Sequence, residues 1–437
     1  MDFKAVAVFI LWAVYLYGLF LDILRYRSAR NPIPENVADV YDTDTYMKWK
    51  AYHGEKVRFG ILSSAVGFVV DLVLILTNAY AAFARLFPQG DWWQLFAVML
   101  LGALATLLLI PFAWHDTMHI EEKYGFNRTR AKTFAGDKVK ELILQFGLMV
   151  GLASMVMGLH KSFGDWLILA FAAFATLFLL FVTFLYPFFS KIFNKFTPLA
   201  DGELKEGITK LLEKNGYKVR AIQVMDASRR STKSNAYFTG FGKMKTIVLY
   251  DTLVAAMTTD EILAVFAHEM GHGLHKDTLK NHILTFLQML VLGLLAWATL
   301  RHPEIFRPFG FEGVNYGFAV LLMLSVEFAL LSPLFGLVMS WFSRRAEYRA
   351  DRQAVKEGYG PALVSALKKL ARENFSDLSP SPVLVALEYS HPPLSQRIAA
   401  IEAATAAPDN DRLIRARCKN TRPETNVAGK TGANRGK

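Results

Sequence analysis

Residues 258–300 read TTDEILAVFAHEMGHGLHKDTLKNHILTFLQMLVLGLLAWATL. Two patterns meet in this stretch. Thr258 with Glu261 makes a capping box, and Ile262, Leu263, Val265 and Phe266 carry an apolar helical period onward. From His282 to Leu300 the chain turns almost wholly apolar, over the length of about 20 residues that a membrane-crossing helix needs. The first half holds His268-Glu269-Met270-Gly271-His272. Histidines at i and i+4 share one helix face and can share one metal ion. Glu269 lies one residue round, where a general base must stand, beside a water whose pKa zinc would lower towards about 7. A chemical centre on a capped helix directly ahead of a span is the expectation.

The whole chain suits that setting. Of 437 residues, 53% are hydrophobic and only 20% charged, with 34 Phe, 16 Tyr and 8 Trp. An ordinary soluble domain carries about 25% charged residues. Disordered chains and small disulfide scaffolds are excluded. A lone cysteine, Cys418, excludes an intramolecular disulfide and any cysteine-rich metal site. The net charge of +11 would suggest nucleic acid in a soluble protein, so the placement of the charges decides.

Seven stretches are long and apolar enough to span: Phe3–Leu24, Gly60–Ala81, Trp92–Trp114, Leu142–His160, Trp166–Ser190, His282–Leu300 and Tyr316–Phe342. The first could be a signal peptide but reads as a retained span. It is too long, only Lys4 precedes it, and Arg25, Arg27 and Arg30 follow in place of a cleavage site. Every second loop is basic. Arg25 to Arg58 and Lys123 to Lys140 are rich in Lys and Arg, whereas Arg85 and Lys161 stand alone in theirs. The positive-inside rule therefore puts the N-terminus outside and the C-terminus in the cytoplasm. It also accounts for the charge with no nucleic-acid partner.

Five regions follow. Residues 1–190 hold spans one to five. Residues 191–281 form a cytoplasmic segment, with a helix over Glu203–Asn215, strands over Val219–Asp226, Ala236–Phe241 and Thr246–Tyr250, and turns at Gly240 and Gly242. Residues 282–342 hold spans six and seven. Residues 343–408 read as cytoplasmic helices broken near Gly358, Gly360 and the Ser-Pro-Ser-Pro run at 379–382. Residues 409–437 read as a basic disordered tail.

Three-ligand zinc needs one more protein donor. An extended H-E-x-x-H-x-x-G-x-x-H pattern would require histidine where Thr278 stands. His275, at i+7, would have to bend back against helix geometry. In SRRAEYRADRQA, residues 343–354, Glu347 and Asp351 stand at i and i+4 on a helix that begins as span seven ends. Glu347 could complete a His-His-Glu set, and Asp351 could accept from a ligand histidine and fix its tautomer. Spacing leaves a second reading open: an exposed helix whose carboxylates pair with Arg344, Arg345, Arg349 and Arg352.

His268-Glu-Met-Gly-His272, Arg345-Ala-Glu347-Tyr-Arg-Ala-Asp351, Ser390-His391-Pro-Pro-Leu-Ser-Gln-Arg397-Ile, Ile120-Glu-Glu-Lys-Tyr-Gly-Phe-Asn-Arg-Thr129 and Ser234-Asn-Ala-Tyr-Phe-Thr-Gly-Phe241 together closely resemble the type I CAAX prenyl endopeptidases, seven-span zinc proteases. The resemblance runs from span one to about residue 404. It implies a mainly α integral membrane protein, with seven spans around a chamber and a small α+β gluzincin-like core on the cytoplasmic side. It implies one zinc per chain on His268, His272 and Glu347, with Glu269 as base. His391 would donate to the oxyanion and Arg397 would clamp a substrate carbonyl or carboxylate, against the alternative of a helix cap and a surface pair. Asn235, Ala236, Tyr237 and Phe238 would form an edge strand that holds an extended peptide. Residues 120–129 read as a structural loop. His115, His119 and His282 read as packed or interfacial residues, and Asp71 and Glu327 as residues facing the chamber.

The expected function is a membrane zinc endopeptidase acting on prenylated or other membrane-associated peptides among membrane lipids. It is expected to be a monomer, in a bacterial inner membrane in preference to the endoplasmic reticulum. One rival is a broad-specificity quality-control protease with the same site. The other is a non-enzymatic transporter, against which the nearly uncharged spans and the intact motif argue.

Overall fold

Apolar runs bounded by caps and turn residues become long helices in the computed structural model, which describes residues 2–233, 235–239 and 244–406. The N-terminal half holds α1 (Phe3–Ser28), α2 (Thr43–Leu76), α3 (Ala79–Ala84), α4 (Asp91–Leu107), α5 (Ile110–His115), α6 (Ala131–Phe163) and α7 (Leu167–Phe193). A mixed segment follows: β1 (Phe196–Pro198), α8 (Glu203–Lys214), β2 (Lys218–Met225), β3 (Ala236–Thr239), β4 (Met244–Tyr250), α9 (Asp251–Ala256) and α10 (Thr259–Leu274). Then come α11 (Asp277–Arg301), α12 (Tyr316–Leu322), α13 (Phe328–Lys356), α14 (Gly360–Glu373), α15 (Pro382–Leu387) and α16 (Leu394–Ala406). The basic tail with Cys418, and the turn at Gly240 and Gly242, lie outside the described residues.

Among the described residues six helical stretches are long and apolar enough to cross a membrane, and one of them, 131–181, takes in both α6 and the start of α7. Gly164, at φ 52°, breaks that stretch, and Lys140 Nζ on the Ile192 carbonyl at 3.2 Å closes it as a hairpin. Counted as passes, the chain crosses seven times. Connections at one end meet through Arg85 on Gly310, Lys161 on Asp91 and Arg301 on Asp165. At the other end gather the sheet, α10 and the C-terminal helices. α2 and α6 have 34 and 33 residues. At 1.5 Å per residue each reaches about 50 Å, well beyond the roughly 30 Å of hydrocarbon, so their polar N-terminal turns stand beside the soluble elements.

Two details differ from the sequence reading. No new helix starts after span seven. A π-helical turn at Met323–Glu327 joins α12 to α13, and α13 runs on through Pro333 to Lys356, because residues after Phe342 include no breaker. Glu347 and Asp351 therefore sit on the rod that crosses the membrane. Span three ends its first helix at Leu107, and α5 restarts with Pro111 in its first turn, where a missing N–H costs nothing.

The sheet has the order β1-β2-β4-β3, with β2 and β4 parallel and β3 antiparallel at the edge. β1, three residues ending in Pro198, escaped the sequence reading because it is too short to show alternation. Ile222, Ile247 and Leu249 pack with Ile208 and Leu212 of α8 and Leu263 and Phe266 of α10. The metal-motif helix is thus clamped between sheet and α13. Residues 120–129 latch the halves together. Ile120, Tyr124 and Phe126 are buried with Tyr52 against Phe375. Glu121 takes Lys56 at 2.9 Å and the Tyr52 hydroxyl at 2.7 Å, and Arg128 N–H donates to the Arg230 carbonyl.

Candidate metal centre

The helix that carries the motif is held at its start and along its face. Thr258 and Glu261 form the capping box. Glu261 also accepts from Ser365 at 2.6 Å and Lys369 at 2.7 Å of α14. Burial alone would raise its carboxyl. The Lys369, Ser365 and Thr258 hydrogen bonds outweigh that and hold it down to about 2. Further along, Gly271 meets α13. A Cβ there would come within 2.7 Å of Ala350 Cα, so only glycine admits this approach. That contact sets His268 and His272 opposite Glu347, one turn before Ala350, and Asp351, the residue after it.

One donor atom each from His268, His272 and Glu347 lies within 4.8 Å of the others. His268 Nε2 is 3.5 Å from Glu347 Oε2, and His272 Nε2 is 3.3 Å from Oε1. The opposite ring nitrogens are both tied to carboxylates: His268 Nδ1 to Asp351 at 2.8 Å and His272 Nδ1 to Asp277 at 3.3 Å. An acceptor on Nδ1 fixes the proton there and turns the Nε2 lone pair towards Glu347. Glu347 Oε2 is buried without a hydrogen bond. Two imidazole lone pairs facing a buried carboxylate repel one another, and a cation between them reverses the sign. The donor set therefore fits a divalent metal.

Glu269 is half-buried beside this cluster, with no ion-pair partner among the described residues. His391 lies at the mouth, 62% exposed, with Nε2 3.4 Å from Glu347 Oε1 and Nδ1 2.9 Å from the Ser390 hydroxyl. Arg397 stands differently from either sequence reading. It is buried, donates twice to Asp351 at 2.9 and 2.6 Å, and sets Nη1 3.2 Å from Glu347 Oε2. Its guanidinium faces the carboxylates, neither clamping from open space nor pairing on a surface. The other arginines of α13 leave Glu347 and Asp351 alone. Arg344 donates to the carbonyls of Val385 and Tyr389, Arg345 stacks 3.8 Å over Trp341, and Arg349 takes Asp277 at 2.6 Å.

Asp277 was missed in the sequence. It follows Lys276, whose φ of 56° reverses the chain so that the first residue of α11 returns to the motif helix. Burial raises its carboxyl, but Lys280, Arg349 and His272 outweigh that and keep it ionised. His275 caps α10, exposed. His115 and His119 pair with each other, 4.9 Å apart, away from the centre.

A cavity of about 960 Å³ opens beside the centre. Tyr17, Leu21, Pro333 and Gly336 line it towards the spans, and His391 and Arg397 line it at the centre. Asp71 and Glu327, expected to face a chamber, do not line it. Asp71 borders a pocket of about 30 Å³ among Leu11, Tyr80 and Phe318, and Glu327 accepts the Thr299 hydroxyl at 2.5 Å. β3 offers its free edge. Tyr250 N–H donates to the Asn235 carbonyl, so by alternation Ala236 and Phe238 turn their backbone polar groups outward. The Ala236 N–H meets the Asn235 side chain at 2.8 Å.

Comparison with known proteins adds to this geometry. A family model described as CAAX prenyl protease N-terminal, five membrane helices, matches residues 22–195, and the model of peptidase family M48 matches residues 198–405. The CAAX prenyl protease 1 homolog of Oryza sativa is 31% identical over 415 residues, covering 91% of this chain and 96% of that protein. CAAX prenyl protease 1 of Saccharomyces cerevisiae is 30% identical, over 89% of this chain and 93% of its own. The crystal structure of S. mikatae Ste24p matches with a TM-score of 0.85 at 30% identity, over 92% of this chain and 99% of that one.

Proposed function

Because the chain belongs to the CAAX prenyl proteases of peptidase family M48, and so is a multi-span membrane metalloendopeptidase, we propose that it holds one zinc ion on His268, His272 and Glu347 and cleaves peptides that carry a lipid tail. The observation that carries this reading is the pair of carboxylates on Nδ1 of His268 and His272, which aims both Nε2 atoms at Glu347. Two imidazoles and one carboxylate leave a zinc coordination position open for catalysis. Zinc, when bound, would supply a Lewis acid that acidifies water and polarises the scissile carbonyl.

The protein's own groups do the rest. Glu269 takes the proton of the attacking water and passes it to the departing amine. His391, at the mouth of the site, donates to the oxygen on which charge develops. Arg397 and Asp351 lock the far side of His268 and Glu347. The outward backbone of Ala236 and Phe238 receives the peptide as an added strand. A lipid tail suits the cavity that links Leu21 and Gly336 among the spans to His391. The alternation of basic and nearly uncharged loops supports a cytoplasmic side for this site, and the chain is read as a monomer.

Metal analysis of purified protein, paired with cleavage of a prenylated peptide and its unprenylated twin, tests the reading. One zinc per chain is expected. Glu347→Ala should lower occupancy, and Glu269→Ala should keep the metal yet abolish turnover. Full zinc content in Glu347→Ala would remove that ligand from the set. Equal cleavage of the two peptides would replace the lipid-tailed substrate with broad-specificity proteolysis.

A further inference from the structure

Away from the metal centre, a second cavity of about 780 Å³ opens between the start of α6, the end of α7 and the turn at Ala227–Arg229. Its lining is strongly cationic. The side chains of Arg128, Arg130, Lys132, Lys191, Lys195 and Arg229 form no ion pair among the described residues, although the Lys195 backbone N–H donates to Asp226 at 2.7 Å. Asp137 is the one carboxylate in the lining, and Arg230 holds both its oxygens at 2.9 and 3.2 Å. The positive-inside tendency explains basic residues in such loops, but it does not explain their convergence on one concavity. Like charges gathered without counter-charge repel, and an anion between them relieves the repulsion.

Position narrows the anion. Thr133, Gly136, Asp137 and Lys140 line the cavity along one face of α6, and the next residue on that face is Ile143. Ile143 is 68% exposed and lies at the start of the apolar length of the helix. Ile192, on the facing helix, lines the cavity and is also exposed. The cationic hollow thus continues directly into a lipid-facing apolar stripe. A soluble anion has no use for that stripe; a phosphate carrying acyl chains does. We propose that this cavity binds the phosphate headgroup of an anionic glycerophospholipid from the adjoining leaflet, with its acyl chains along Ile143. The α6–α7 hairpin is thereby pinned to the turn that leads into β3.

The test uses full-length protein in nanodiscs of phosphatidylcholine mixed with phosphatidylglycerol, extracted gently and weighed intact by native mass spectrometry. Phosphatidylglycerol should be retained in preference to phosphatidylcholine, a comparison that needs no variant. Lys132→Gln/Lys191→Gln/Arg229→Gln should weaken retention on the order of a hundredfold, the effect of three near-surface charges. Lys205→Gln/Lys210→Gln/Lys356→Gln, with the same charge change outside the cavity, should retain the lipid. Melting temperature and metal content verify that both variants fold. Equal retention of the two lipids by the wild type, or undiminished retention by the cavity variant, overturns the proposal. Displacement of the lipid by inorganic phosphate alone would make this a soluble-phosphate site, and displacement by polyglutamate a protein-docking patch; either overturns the proposal too.

Discussion

Asp277 holds His272 from behind, as Asp351 holds His268, and Arg349 and Lys280 hold Asp277 in turn. Carboxylates in that position orient the imidazole and raise its basicity, and their loss typically costs about 10–100-fold in metal affinity. Asp277→Ala should therefore release metal to a chelator about that much more readily. Excess metal should restore turnover, because no ligand and no base is lost. Unchanged chelator sensitivity would reduce Asp277 to a helix cap. This residue shows where sequence reading stops. His268, Glu269 and His272 declare themselves by spacing on one helix. Glu347 and Asp351 stand out by the same i, i+4 rule, but spacing alone left their arginine neighbours as equal partners. Which arginine turns where depends on α15 and α11, elements far away in the chain. Asp277 depends on a single left-handed residue, Lys276, which no periodicity reveals.

Between elements, the contact of α10 with α13 decides the centre. Gly271 in the middle of a helix should by propensity gain from Gly→Ala, by about 1 kcal/mol. The 2.7 Å approach to the Ala350 backbone reverses that sign. Overpacking of this kind costs about 1–3 kcal/mol, and here it would also part the histidines from Glu347. Gly271→Ala should lower both melting temperature and metal content, whereas Gly136→Ala, with open space around it, should lower neither. A stabilised Gly271→Ala would show that the helices do not meet there. The edge strand offers a second contrast. Ala236 turns its N–H outward and Tyr237 inward by the register with β4. Ala236→Pro should fold, keep its metal, and lose kcat/KM by about 1–3 kcal/mol, the worth of one or two hydrogen bonds to peptide. Tyr237→Pro should damage the sheet itself. Normal kinetics in folded Ala236→Pro would place the peptide elsewhere. Strand existence was legible from alternation. The outward direction of Ala236 was not, because it depends on which residue of β4 lies opposite.

For the whole molecule, the pass count fixes which side each soluble piece occupies. Counted as unbroken helical stretches, α6 and α7 run together over 131–181 and would give six crossings, although their apolar runs at 142–160 and 166–190 are separate in the sequence. Six crossings return the C-terminus to the side of the N-terminus. Seven put it opposite. The alternation of basic and nearly uncharged loops favours seven, and the structure supplies the reason at Gly164, where a left-handed residue turns the chain back so that Lys140 reaches Ile192. The ends agree. Arg301 and Trp297 meet Asp165 beside the turn, at the same end where Arg85 meets Gly310. A reporter inserted at Gly164–Asp165 should therefore label the same side as one in the loop at 86–90. A reporter fused after residue 406 should label the other side. The 164–165 insertion is the sharper of these, because it separates the two counts directly. If α6 and α7 were one crossing, residue 164 would lie inside the bilayer, and its reporter would be silent or would abolish insertion. A signal shared with the C-terminal fusion would mean that the hairpin does not cross at all. Agreement with 86–90 and disagreement with 406 leaves seven passes as the only even reading of the loops.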